Sequence, residues 1–339
     1  MRLITWILCG AIAAGQAHVG LATDRPPARF EFNQIQMGMP FRLVVYARHE
    51  DSANAAASAA FARIKQLNGI MSDYDPDSEL MQLCRTAGSG QPVQVSPDLK
   101  AVLSRALALS RKSDGAFDVT VGPIVKLWRK ARKSKVLPPA AEIDAARKLV
   151  GYRNIRLDEQ AGTVELLLAG MQLDLGGIGV GYAIDQALFV LKSRGIESAL
   201  IDGSGDIGVS GPPPGQRGWR IGIAPLDADK EPSRFLILKN GAVTTSGDAF
   251  QFVEVAGRRY SHIVDPSTGL GLTERSSVTV IAPDCTVADS YTKAVSVLGR
   301  ERGLALIDAT PGAAAIVVRA VDGPVELFES KRVQDFDFE

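Results

Sequence analysis

From Thr163 to Phe328 the chain is a succession of short apolar runs, and this rhythm limits its architecture more than any other feature. Runs at 163–168, 172–175, 199–202, 219–223, 235–238, 277–282, 314–318 and 325–328 read as strands. Two helical patterns interrupt them. One follows Gly181, with Ile184, Ala187, Leu188 and Leu191 on an inward face and Gly195 behind it; the other covers 287–298. Helices and strands that alternate so irregularly predict an α+β or mixed chain rather than a regular doubly wound sheet.

The first half is more helical. A strand is expected at 41–47, then an amphipathic helix over 53–71 with Ala57, Ala60, Phe61, Ile64, Leu67 and Met71 on one face. Ser96-Pro97-Asp98 supplies an N-cap and a first-turn proline for a second helix burying Leu99, Val102, Leu103 and Ala106. A third is expected over 139–150, with Gly151 at C′.

Lys+Arg and Asp+Glu each number 38, so no basic field favours a nucleic-acid partner, and a hydrophobic fraction of 46% suffices for a core. Arg2, the apolar run 3–14 and the small residues to Ala22 have the layout of a secretory signal, which predicts cleavage after Ala17 or Ala22 and a soluble exported protein. Residues 1–22 are thus read as leader and 23–339 as the mature chain. Of the cysteines left, Cys84 and Cys285 are expected as buried free thiols, with a single bridge between them as the alternative.

Two glycine-rich segments need separate readings. Gly203-Ser-Gly205-Asp-Ile-Gly208 matches the dinucleotide fingerprint, but Gly211-Pro-Pro-Pro-Gly215 follows where a helix would have to begin, so a tight turn between strands is expected. Asp174-Leu-Gly-Gly-Ile-Gly-Val-Gly-Tyr182 instead precedes a helix, where backbone N–H groups and the helix dipole can face an anion; close packing of strand on helix is the other reading.

Several segments taken together resemble the bacterial flavin transferases often called ApbE. They are Met37-Gly38, Met71-Ser-Asp-Tyr74 with Asp77-Ser-Glu-Leu80, Gly115-Ala-Phe-Asp-Val-Thr-Val-Gly-Pro123 with Leu127-Trp128, and Asp174-Leu-Gly-Gly-Ile-Gly179 through Tyr182 and Asp185. Thr245-Ser-Gly247, Ser261-His-Ile-Val-Asp-Pro-Ser-Thr-Gly269 and Ala288-Asp289 complete the ordered set. The resemblance implies a single mixed α/β catalytic domain of T-fold-like type that uses FAD and Mg²⁺. It also implies transfer of FMN to a Thr or Ser hydroxyl of an exported or membrane-associated partner, with release of AMP. On the same resemblance Met37, Tyr74, Ala116, Phe117, Asp118, Asp174, Val180 and Ile263 fall beside FAD. Asp289 falls on a metal ligand, with the Gly177 to Gly179 backbone brought up to the metal.

Breaking a diphosphate is in-line displacement at phosphorus, which asks for positioning and neutralisation of developing negative charge. His262 and Asp265 are the candidate catalytic residues, His262 as general base for the acceptor hydroxyl; Asp265, three residues on, also lies in a turn-forming sequence, which is its other reading. In the 287–298 helix, Asp289, Thr292, Lys293 and Ser296 share a polar side opposite Val287, Tyr291, Ala294, Val295 and Leu298.

The chain departs from the family's pattern at three positions: Lys293 replaces a threonine metal ligand, Val180 a polar residue and Cys84 an asparagine. Either Thr292 supplies the missing hydroxyl or Lys293 pairs with Asp289 and substitutes its charge for the metal's. A Mg²⁺-dependent FAD pyrophosphatase and an exported flavin-binding protein of weakened activity are the alternative functions.

Overall fold

The computed structural model describes residues 26–224, 226, 231–247, 252–255, 257–320 and 325–339, and the expected leader lies outside them. β1 (Ala28–Gln36) and β2 (Met39–Ala47) form an antiparallel hairpin turned at Met37 and Gly38, both at positive φ. α1 (Glu50–Met71) buries the face that its spacing predicts. α2 (Glu79–Arg85), β3 (Val93–Gln94) and α3 (Pro97–Lys112) follow, with the Ser96 hydroxyl accepting from the Leu99 N–H as an N-cap. α4 (Gly122–Ser134) and α5 (Ala140–Arg147) precede β4 (Ile155–Asp158) and β5 (Thr163–Leu166).

After α6 (Gly179–Ser193) come β6 (Ser198–Gly203), β7 (Asp206–Val209), β8 (Trp219–Gly222), β9 (Phe235–Leu238) and β10 (Gly241–Gly247). β11 (Phe252–Val255), β12 (Arg258–Ser261), β13 (Arg275–Ala282), α7 (Cys285–Asp308), β14 (Ala314–Ala320), β15 (Glu326–Glu329) and β16 (Asp337–Phe338) complete the chain.

Eight strands make one sheet in the order β1-β2-β6-β7-β10-β13-β14-β15, each neighbour antiparallel. Side-chain alternation sends Phe41, Leu43 and Val45 of β2 into the core shared with α1, α6 and α7, and Val44 to the opposite face. There Trp219, Ile221, Leu236 and Leu238 of the β16-β9-β8 sheet cover it. With both faces occupied, β13 and β14 are apolar on both sides, which is why they read as unbroken runs. α4 and α5 pack with β11 and β12 around Trp128 and Tyr260 as a smaller apolar cluster.

The mixed architecture and the turn at Gly203–Gly208 are as the sequence suggests: β6 and β7 are hairpin partners, with Ser204 and Gly205 at positive φ. Cys84 and Cys285 are buried free thiols. Other expectations need correction. The run at 172–175 is not a strand; it is the irregular approach to α6, anchored where the Asp174 N–H donates to the Val119 carbonyl (2.8 Å). The helix expected at 139–150 ends at Arg147, and Gly151 instead precedes a single 3₁₀ turn at Tyr152–Asn154. α2 and α4 were not expected, although Ile124, Leu127, Trp128 and Ala131 give α4 an apolar stripe at helical spacing, and β1, β7 and β10 are too polar or glycine-rich to stand out. α7 continues beyond 298 as a second helical segment across Gly299, whose φ of 73° breaks the first. Among the described residues no helix is long and apolar enough to cross a membrane.

α6 and α7 meet at Gly181, where a methyl group would stand 2.3 Å from the Cys285 carbonyl oxygen and 2.8 Å from Asp289 Cβ. Alanine favours a helix over glycine by about 1 kcal/mol, but contact with backbone cannot be relieved by a rotamer change. Overpacking of about 1–3 kcal/mol or more should therefore win. Gly181→Ala is expected to lower the thermal midpoint of the purified protein, and an unchanged or raised midpoint would show that the helices can separate.

Candidate functional site

The site is built around the turn that enters α6. Asp174 sits at its start, buried, with Oδ1 accepting from the Gly176 N–H (2.8 Å) and Oδ2 from Arg129 Nη2 (2.9 Å). Arg129, on α4, also pairs with Asp73 through its other nitrogen, and its guanidinium lies 4.1 Å from the Tyr74 ring centroid. One arginine thus ties the end of α1, the glycine turn and α4 together. Tyr74 is 75% exposed, so the ring is backed by a cation while much of it meets solvent. Burial pushes the Asp174 carboxyl up, Asp73 adds to this, and Arg129 opposes it.

Gly176 and Gly177 carry the chain into α6 with no side-chain cap at Ile178, and the helix begins at Gly179. A methyl on Gly177 would lie 3.4 Å from the Phe117 ring and 3.5 Å from Lys293 Cγ. Phe117 and the lysine stem therefore flank this turn.

Behind it lies Asp289, fully buried on α7. Its Oδ2 accepts from the Gly181 N–H (3.1 Å) and its Oδ1 from the Lys293 ammonium one turn along the same helix. Burial pulls the Lys293 ammonium down, but Asp289 and then Asp206 more than reverse this and hold it above its usual value. Asp206, at the start of β7, is pushed up to about 8 by burial and then by Asp289, with Lys293 and a hydrogen bond from Thr244 opposing. Below this cluster Asp185 of α6 accepts from the Cys285 and Thr286 N–H groups (2.7 and 2.9 Å), holding the start of α7 against α6; burial raises it to about 6.

Thr292 does not face the turn. It is fully buried; its hydroxyl donates to the Asp289 carbonyl (2.7 Å) and meets the Ser246 hydroxyl of β10 at 2.7 Å. The expectation that Thr292 joins Asp289 as a ligand is corrected accordingly: at i+3 it points into the α7–β10 contact. The polar side of α7 is an interior surface, since Asp289 and Thr292 are both wholly covered.

Asp118 caps a 3₁₀ turn, accepting from the Thr120 N–H (2.9 Å), the Thr120 hydroxyl (2.7 Å) and the Tyr152 N–H (2.7 Å). Burial raises its pKa while those three donors oppose it. Ala116 is half-buried beside it. Val180 is buried, Met37 occupies the β1–β2 turn, and Ile263 lies buried in the loop after β12. In that loop His262 is half-buried, and Asp265 accepts from the N–H and hydroxyl of Ser267 (2.8 and 2.7 Å), closing its own turn. Trp128 donates to the Gly269 carbonyl (2.8 Å), tethering this loop to α4.

Arg129, Asp73 and Asp206 escaped the sequence reading. Arg129 follows the Leu127-Trp128 motif directly, and Asp206 lies inside the glycine segment set aside as a turn, so each had a local marker but no visible partner.

The sequence model of the ApbE family matches residues 37–317. The chain belongs to the ApbE family. A curated FAD:protein FMN transferase of Treponema pallidum (strain Nichols) is 33% identical, covering 99% of this chain and 96% of that one. Another from Klebsiella pneumoniae (strain 342) is 34% identical over 82% of this chain and 85% of its own. Among solved structures, the ApbE protein of Thermotoga maritima superposes with a TM-score of 0.81 at 31% identity, over 91% of this chain and 99% of that one. Flavin transferase ApbE from Vibrio cholerae gives 0.81 at 28%, over 92% and 100%. The mixed α/β fold is thus the ApbE fold, and the protein is a transferase.

The shared turn of this ApbE-family chain depends on Arg129. Arg129 and Asp73 are part-buried and Asp174 is buried, so removing the arginine leaves the Asp174 carboxylate without its counter-charge, at a cost below the ~3–5 kcal/mol of a fully buried pair. Asp174 is raised in the fold, so its favourable contribution is complete below its unfolded pKa and is lost as pH rises through the folded value. Arg129→Gln removes the opposing charge and raises it further. Its stability deficit in urea denaturation is expected to be larger at pH 7.5 than at pH 4.5; an equal or smaller deficit at pH 7.5 would refute this electrostatic account.

Proposed function

We propose that this protein transfers the FMN half of FAD to a Thr or Ser hydroxyl of a partner protein and releases AMP. The observation that carries the reading is one connected site: Tyr74 and Arg129 at one end, the Gly176–Gly179 turn in the middle, and Lys293 with Asp289 at the other. Such a site has a ring platform, backbone N–H groups at the start of a helix and a cation, which are the parts a flavin diphosphate needs. The names of the relatives support both FAD and a protein acceptor.

In this reaction the acceptor oxygen forms a bond to the FMN phosphorus, the bond to the AMP phosphate breaks, and the hydroxyl proton passes to His262. Phe117 and the glycine turn position the diphosphate; Tyr74, backed by Arg129, offers a face to a ring. The Asp265 turn and the Trp128 tether fix the loop that carries His262. Residues 23–339 carry this activity, and the acceptor is an exported or membrane-associated protein met outside the cytoplasm, a reading supported by the leader-like start.

The resemblance also implies Mg²⁺, and the donors present do not fit it. Mg²⁺ demands oxygen ligands in near-octahedral geometry. Asp289 holds an ammonium on one oxygen and an N–H on the other, and Thr292 is turned into the sheet. Two unit charges about 4 Å apart interact by about 4 kcal/mol at an effective dielectric of about 20, so a dication beside this ammonium meets roughly twice that repulsion.

The test is to incubate purified protein with FAD and candidate exported proteins bearing exposed Thr or Ser, then follow acceptor mass and AMP. Covalent FMN on the acceptor with equimolar AMP is expected. His262→Ala should slow transfer about 10²- to 10⁴-fold. Free FMN without acceptor labelling would reveal a pyrophosphatase instead, and unconsumed bound FAD a binding protein.

A further inference from the structure

An ammonium occupies the position where a carboxylate of α7 meets the glycine turn. We infer that Lys293 is a built-in replacement for a divalent cation, held by Asp289 so that its ammonium receives the diphosphate of FAD without metal. This rests on the transferase reading above and names the charge that reading needs.

Four observations carry it. Asp289 is spent: both oxygens are engaged within the protein, and the side chain is only 1% exposed. Thr292, the nearest alternative oxygen, gives its hydroxyl to backbone and to Ser246 inside the α7–β10 contact. The Lys293 side chain, by contrast, is 20% exposed, so part of it meets solvent while its ammonium stays on the buried carboxylate. Its stem passes Gly177, the residue at the mouth of α6, which brings the ammonium to the positive end of that helix.

An ammonium has three donors, and Asp289 is the one hydrogen-bond acceptor it meets among the described residues. The remaining N–H bonds are available to phosphate oxygens, in the manner of a lysine that binds phosphate as a point charge. Asp289 is then a positioning residue. Its counter-charge and the Gly181 N–H keep the lysine in one rotamer, and the close α6–α7 approach at Gly181 sets where that rotamer ends. Asp206 at the start of β7 and, more weakly, the Cys285 thiol also act on this ammonium electrostatically.

The test measures FAD binding by flavin fluorescence with the whole protein, in excess EDTA and in excess Mg²⁺. Wild type is expected to bind FAD equally under both conditions. Lys293→Met should weaken binding about 10- to 100-fold under both, the loss of one charge-assisted contact. Lys293→Thr should be equally weak in EDTA and recover with Mg²⁺, because it restores an oxygen beside a released Asp289 carboxylate. A tenfold or greater fall in wild-type affinity in EDTA overturns the inference while leaving the transferase reading intact. No FAD binding under any condition overturns both. The wild-type comparison needs no variant to fold.

Discussion

Asp289 is fully buried, and burying a charged group is costly unless it is paired and hydrogen-bonded. Here the compensation comes from Lys293 and from the N–H of Gly181. That pair of contacts sets much of what surrounds it. α6 must approach α7 closely enough for a backbone N–H to reach a side chain, which only glycine at 181 allows. Asp185 then binds the free N–H groups at the start of α7, and Ser246 and Thr292 lock the far side of that helix to β10. The glycine turn, α6 and α7 thus meet around one desolvated charge, with β10 fastened to α7 beside it.

The second fixed point is Arg129, which does for the other end of the site what Lys293 does near α7. It gathers Asp73 and Asp174 and covers one face of Tyr74, so a motif at the end of α1 and a motif at the start of α6 become neighbours. Asp118 and Asp265 work differently. Each carboxylate is turned on its own backbone, one capping a 3₁₀ turn and one closing a loop, so their contribution is to shape the segments that carry Phe117 and His262.

Much of this was legible in the sequence, because apolar spacing and turn chemistry act locally. α1, α3, α6 and the first part of α7 follow from helical periodicity and caps, and the β6–β7 hairpin follows from a proline-rich stretch that forbids a helix. What stayed hidden depends on contacts across the chain. Arg129 and Asp174 are 45 residues apart, and Gly181 and Asp289 are 108 apart, so nothing in either neighbourhood announces the pairing. Thr292 shows the limit of helical-face reasoning: a three-residue step from Asp289 placed it on a shared polar side, but its hydroxyl meets Ser246 of the packed strand β10. That Lys293 stands where the resemblance implies a threonine was visible; that it forms an ion pair with Asp289 needed the fold.

The family's architecture is therefore retained around a changed electrostatic centre. A hard dication can be removed by chelation and depends on supply, whereas a lysine is permanent but supplies one charge instead of two. The most direct measurement of this exchange is a crystal structure of the FAD complex grown with Mn²⁺, read by anomalous scattering. The expected map has the Lys293 ammonium between Asp289 and the diphosphate, with no anomalous peak beside Asp289. A manganese peak bonded to Asp289, with Lys293 turned away from it, would contradict the account.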